Sequence, residues 1–182
     1  KEHLRIEEFD SVLFVMREPP WKSKTGDSRF WNSRGAVQEF LGKLYELSLS
    51  PLRIKLDVNI EFRKRSNLEH LYLYLKDIGA LRKLAGNYRS PQEFFKALES
   101  TYISKLISEV RIRVKVKNTN GSLTFVELSE GEQQLLMVLG LLRFTKEDES
   151  LFLLDEPDTH LNPAWSIRYI EFLREIVGDQ KT

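Results

Sequence analysis

Two hydrophobic periods run through the chain. From Leu52 to Glu61 the residues strictly alternate, with Leu52, Ile54, Leu56, Val58 and Ile60 set against Arg53, Lys55, Asp57, Asn59 and Glu61. That is the pattern of a strand with one wet face. Leu71–Leu75 follows as a second strand after a turn region near Asn67, and the two read as a hairpin. A second hairpin is predicted where Val110, Ile112, Val114 and Val116 alternate with Arg111, Arg113, Lys115 and Lys117. Asn120-Gly121 supplies its turn, and Leu123, Phe125 and Val126 its return strand. Val12–Met16 is a shorter strand, stopped by Pro19-Pro20. Elsewhere the period is helical. Val37, Phe40, Leu41, Leu44, Tyr45 and Leu47 predict a helix over 36–49, closed by Pro51. A short helix over 78–84 ends near Gly86. Ser90, Pro91 and Glu93 are a cap, a first-position proline and a box carboxylate. They open a helix that carries Phe94, Phe95, Leu98, Tyr102, Ile103, Leu106 and Ile107 inward.

The densest pattern lies between Leu128 and Pro163. Ser129 caps a helix and Glu132, three positions on, completes a capping box. Gly131 falls in the first turn, where a missing Cβ lets a ligand approach the backbone. The free N–H groups and dipole of such an end favour an anion. Leu135, Leu136, Val138, Leu139, Leu141 and Leu142 make the helix apolar on most sides, which predicts burial. Leu151–Leu154 is an all-apolar run that reads as a strand buried on both faces, as in a parallel sheet. Asp155 and Glu156 stand at its carboxyl end, where open α/β sheets bind ligands. An aspartate there can hold Mg²⁺, and a glutamate beside it can orient or deprotonate a water. Each motif alone has a plain reading: a capped core helix, or a strand ending in two solvated acids. Their joint occurrence in this order, with one helix between, argues for a nucleotide site. Asn162 then caps a last helix beginning at Pro163, with Trp165, Ile167, Tyr169, Ile170, Leu173 and Ile176 at core spacing.

At 182 residues the length suits one domain, or a domain with a small subdomain. The 28 basic residues nearly cancel the 27 acidic ones, so bulk charge does not argue for nucleic acid. The absence of cysteine excludes disulfides, thiol catalysis and cysteine-based zinc sites, and is compatible with a cytoplasmic protein. His160 has no partner histidine at a metal-ligand spacing. No run is long enough to span a bilayer and no signal peptide is visible, so no membrane partner is expected. Three basic features keep two readings each. Trp21–Arg34 is either a basic–aromatic contact loop or a surface loop pinned by its aromatics. Arg63-Lys64-Arg65 either meets phosphate or is a solvated hairpin tip. The four cations from Arg111 to Lys117 are either a DNA-backbone face or the polar face of an antiparallel strand.

With these residues in view, Ser129–Gln134 resembles the signature motif of ABC-type ATPases. Leu151–Glu156 resembles their Walker B strand, and Asp158–Asn162 the D-loop after it. The wording is closest to the RecF/SMC-like class, and within it to compact ATPases of bacterial anti-phage and restriction-associated systems, including the Septu type. The resemblance is specific over about 110–177. It implies a mixed α/β fold: part of an ATPase head with parallel core strands, antiparallel hairpins and a helical lobe. It divides the chain into a lobe over 1–109 and a carboxyl-side ATPase core over 110–182. In such a head Ser129, Glu130, Gly131, Glu132 and Gln133 would face ATP bound by a second head, with Asp158 at the interface between heads. Asp155 would act on Mg²⁺ and Glu156 would be the catalytic glutamate. The implied partners are a second head, in a homodimer or higher oligomer, with DNA and an effector nuclease beyond it.

Two departures accompany the match. A P-loop needs G-x-x-x-x-G-K-[ST], and no such string occurs; Gly42-Lys43 is followed by Leu44 and lacks the earlier glycine. The histidine expected on a following strand is not met before Thr182, and the chain begins at Lys1 rather than at a methionine. The expectation is therefore the carboxyl-side piece of a longer or composite ATPase, inactive on its own and poor at binding ATP. A regulatory module that keeps the fold without turnover, and a RecF-like DNA-repair ATPase, are the alternatives.

Overall fold

The strand-forming residues assemble one sheet in a computed structural model, which describes residues 6–61, 64–117, 121–145, 152–159, 161 and 163–177. Its strands are β1 (Ile6–Arg17), β2 (Leu52–Glu61), β3 (Lys64–Leu75), β4 (Ile107–Val116) and the short β5 (Ser122–Thr124), ordered β2-β3-β1-β4-β5. The helices are α1 (Gly35–Leu47), α2 (Ile78–Ala85), α3 (Pro91–Ile103), α4 (Glu130–Thr145) and α5 (Pro163–Val177). The mixed α/β class is as expected. The chain divides into two compact units, Ile6–Ser122 and Leu123 onward.

In the first unit β1 pairs antiparallel with both β3 and β4, and β2 with β3. Alternation puts Val12, Phe14 and Met16 of β1 and Leu71, Leu73 and Leu75 of β3 on one face. Phe40, Leu41 and Leu44 of α1, Leu84 of α2 and Ala97 of α3 cover it. Phe14 and Phe40 meet edge to face, ring centroids 6.3 Å apart. Each such side chain, fully buried, contributes roughly 1.5–3 kcal/mol.

Several helix boundaries follow from caps. The Asp77 carboxylate accepts from the Ala80 N–H at 2.8 Å and starts α2. Ser90 Oγ accepts from the Glu93 N–H at 3.2 Å and starts α3, while the Glu93 carboxylate accepts from Arg89 N–H rather than from Ser90. Gly42 and Lys43 sit inside α1, with the Lys43 ammonium 4.7 Å over the Tyr88 ring.

Four expectations are corrected. The hairpin turn is not near Asn67, which lies within β3 opposite Asp57 and donates to its carboxylate at 2.9 Å. The apolar face of β2 is not covered: Leu52, Ile54 and Leu56 are 53%, 37% and 37% exposed. They pair with Tyr72, His70 and Leu68, on the face away from the helices, because β1 and β3 hold α1–α3 against the other face. Tyr102 and Ile103, expected inside, are 62% and 67% exposed. Ala97 and Thr101 are the buried residues of α3, and Tyr102 stands at the rim of an apolar cavity of about 480 Å³ between α3 and the β1–β4 face. The return strand stops at Thr124, whose N–H and hydroxyl both donate to the Glu127 carboxylate and turn the chain into a short 3-10 segment, Phe125–Glu127.

The Trp21–Arg34 segment is a pinned loop. Phe30 is fully buried, and Trp21 Nε1 donates to the Ser104 carbonyl at 2.6 Å. A Cβ at Gly26, where φ is 133°, would collide with the Asn32 carbonyl. Asp27 anchors the turn by accepting from the Arg29 backbone N–H and guanidinium. The Arg29 hydrogen bond holds the Asp27 carboxyl below its ordinary value of 3.8. A depressed folded value gives stability that is present above the unfolded value and lost as pH falls through the folded one. Amide protection factors of residues 23–34, with intrinsic exchange divided out, should therefore fall as the pH drops below 3.8, and Asp27→Asn should abolish that dependence.

The cations of β4 are largely engaged: Arg111 with Glu109 at 2.6 Å, Lys115 with Glu8 at 3.0 Å, and Arg113 with the Ser122 hydroxyl at 2.9 Å. Arg63 and Asn120 lie outside the described residues.

Candidate functional site

The second unit is built from α4 and α5. Leu135, Leu161 and Tyr169 are its buried core, with Val138, Leu139, Trp165 and Leu173 packed against them. Helical spacing thus selected the right residues in part. Leu142 is buried too, but Leu141, Ile167 and Ile170 are exposed.

At the start of α4 the capping box forms as the residue types demand. Ser129 Oγ accepts from the Glu132 N–H at 3.4 Å. The Glu132 carboxylate in turn accepts from the Ser129 N–H at 3.0 Å and from its hydroxyl at 2.8 Å. Glu132 is only 1% exposed. Its carboxylate is turned inward as a brace for Ser129, while Ser129 and Glu130 face outward and Gly131 is buried. Gln133 adds a second brace: its amide donates to the Leu128 carbonyl at 2.7 Å and to the Val126 carbonyl at 3.3 Å.

The acid-bearing segment is a turn rather than the end of a strand. Phe152–Leu154 take no strand conformation and Leu153 is 87% exposed, so the parallel core strand expected at Leu151–Leu154 is not formed; Leu151 lies outside the described residues. The long pairings of the sheet are all antiparallel. A strand buried on both faces needs flanking strands and two covering layers, and the described residues bring none to this run.

Glu156 opens the turn with φ at 42°, a left-handed conformation that costs a residue with a Cβ about 1–2 kcal/mol. Thr159 closes it, its hydroxyl donating to the Glu156 carbonyl at 2.9 Å and reaching the Glu156 carboxylate at 3.3 Å. The Leu161 N–H donates to the Asp158 carbonyl at 2.9 Å. Asp155, Glu156 and Asp158 are all exposed. His160 and Asn162 lie outside the described residues.

One side chain ties the turn to the helix. Gln134 Nε2 donates to the Pro157 carbonyl at 2.8 Å. Below that bond runs a groove of about 530 Å³ lined by Glu130, Gln133, Gln134, Leu153, Leu154 and Asp155. The structure therefore brings Glu130, Gln133 and Asp155 to one groove, leaves Ser129 exposed at its helical end, and sets Glu132 behind them. Two further residues had no assigned role in the sequence. Gln134 stood inside the motif, but its partner is 23 positions away. Tyr169 was one core residue among several, yet its buried hydroxyl has no hydrogen-bond partner among the described residues. Burial, and secondarily the Asp158 charge, push that hydroxyl's pKa up.

Asp155 fits the way Mg²⁺ is usually held, by one or two carboxylates with waters and substrate phosphates. No group of three or more histidine and acidic side chains that would make a closed metal cage occurs among the described residues.

A family model described as "AAA domain, putative AbiEii toxin, Type IV TA system" matches residues 7–182. Matched over nearly its whole length, the chain belongs to this AAA-domain family, whose class is nucleotide-binding and ATPase-like. No curated protein and no solved structure matches it. No helix among the described residues is long and apolar enough to cross a membrane.

Proposed function

We propose that this chain supplies part of a composite ATP-hydrolysing site, in which the α4 start of one copy faces nucleotide held largely by another. The observation that carries the reading is the Gln134–Pro157 hydrogen bond, which holds the signature-like helix and the acidic turn on one groove. Among the described residues, the groove walls contribute the acids Glu130 and Asp155 and no lysine or arginine. Triphosphate charge there needs neutralising from outside the groove, which is what a site shared between protomers provides.

In this site the N–H groups of the first turn of α4 meet phosphate oxygens, and the Ser129 hydroxyl turns from the Glu132 carboxylate to donate to one of them. Glu132 and Gln133 keep that turn in shape. Asp155 would hold Mg²⁺, which would supply charge neutralisation at the phosphates. Glu156, its carboxylate 3.3 Å from the Thr159 hydroxyl, orients the attacking water and accepts its proton. Asp158, exposed on the same turn, faces the neighbouring copy. ATP thereby closes two copies and hydrolysis releases them, a switch suited to defence against foreign DNA or to other DNA transactions, with DNA and an effector nuclease as its outputs.

The test is nucleotide-driven association of the whole protein. With ATP and Mg²⁺ the sedimenting mass should double, and Ser129→Tyr, which fills the exposed helix end, should abolish the doubling and the turnover together. A Ser129→Tyr variant with normal turnover removes the shared site, and a wild type that binds ATP without turning it over favours a non-hydrolysing regulatory module.

Gln134→Leu offers a smaller check. It leaves the Pro157 carbonyl without its donor, which should cost about 1 kcal/mol in denaturant unfolding. Turnover should fall further than nucleotide affinity, because the turn is loosened while the helix start is kept.

A further inference from the structure

The edge of the sheet in the first unit points to a second interface, independent of nucleotide. β2 is the terminal strand: it pairs with β3 on one side, and no strand lies on the other among the described residues. A terminal strand offers a row of backbone donors and acceptors to another chain unless something blunts it. β2 is ten residues long, and its apolar members Leu52, Ile54 and Leu56 are exposed side by side on the open face. Arg53, Lys55 and Asp57 on the opposite face are charged residues of the kind that protect such edges.

The charge order of the strand answers that objection. We propose that β2 pairs with β2 of a second copy of this chain, antiparallel about a two-fold axis at Leu56. A two-fold axis normal to the sheet keeps each face with its own kind, so only registers that match apolar to apolar positions are allowed. Centring on Lys55 would set two lysines opposite each other, and centring on Asp57 two aspartates. Centring on Leu56 sets Leu56 against its copy and Lys55 against Asp57 of the partner subunit, twice. Lys55 and Asp57 thus become specificity elements. Asp57 is held for this role by the Asn67 amide, which donates to one carboxylate oxygen at 2.9 Å. Arg53 is already spent, paired with Glu69 and stacked 5.4 Å over Trp31. The β2–β3 register shifts between Asn59 and Glu61, which puts the end of regular pairing at the edge of the stretch this axis covers.

Charge reversal in two separate chains tests this. The nucleotide-free full chain should sediment as two copies. Lys55→Asp sets aspartates against Asp57, and Asp57→Lys sets lysines against Lys55; each should weaken self-association about tenfold or more. Mixing the two variants restores both oppositely charged pairs, and the mixture should recover a dimer containing one of each. A wild type that stays monomeric without nucleotide overturns the proposal, as do single variants that dimerise like the wild type or a mixture that gains nothing over its components. Because ATP is absent throughout, failure of the shared nucleotide site leaves these results unchanged, and ATP-driven association measured on the Lys55→Asp variant scores that site apart from the β2 edge.

Discussion

Replacing Glu156 by glutamine should slow steady-state ATP turnover by the whole protein about 10²–10⁴-fold, the range a positioned general base supplies. The amide keeps the shape of the side chain and an oxygen for Thr159, whose hydroxyl lies 3.3 Å from the carboxylate. It removes the ability to take a proton. Glu156 is exposed and outside the packed core, so the melting temperature should not move. The variant should also hold the ATP-bound, associated form, because closure needs binding and opening needs hydrolysis. Single-turnover kinetics and sedimentation with ATP measure the two effects separately. Turnover at the wild-type rate would take the catalytic role away from Glu156.

Glu132→Ala should act through the fold instead. The carboxylate is buried and holds both the N–H and the hydroxyl of Ser129. Losing a capping interaction costs about 1 kcal/mol, with the exposed Ser129 donors free to turn to water. We expect roughly 1–2 kcal/mol of destabilisation in denaturant titration. ATP-driven association should be lost as well, since Ser129 no longer has a fixed direction. Glu132→Gln keeps an acceptor for the Ser129 N–H and should fall between wild type and alanine. If alanine unfolded no more easily than the wild type, the inward carboxylate would not be bracing the helix.

The contrast between these two glutamates shows what was legible. The capping box is a local device, set by residues three apart, and it formed as read. Whether its carboxylate faced inward or outward was not local: Glu132 is buried because its helix face packs inward, a fact that spacing does not carry. The β2–β3 hairpin was equally legible as two strands, but Asn67 suggested a turn by composition while cross-strand pairing with Asp57 claimed it for β3. On α3 the period picked the apolar face, yet Tyr102 and Ile103 lie past the reach of the covering sheet. The run from Leu151 misled most. An unbroken apolar stretch says that burial would be favourable, not what will supply it, and Leu153 is left 87% exposed. The bond between Gln134 and Pro157 was beyond reach for the same reason, since its two ends meet only through tertiary packing.

The left-handed backbone at Glu156 has a consequence for how this chain can change. Glycine at that position would relieve the conformational strain, worth about 1–2 kcal/mol, and remove the carboxylate in the same step. Selection for thermal tolerance alone would therefore favour glycine at this turn, at the loss of the carboxylate that the proposed reaction uses.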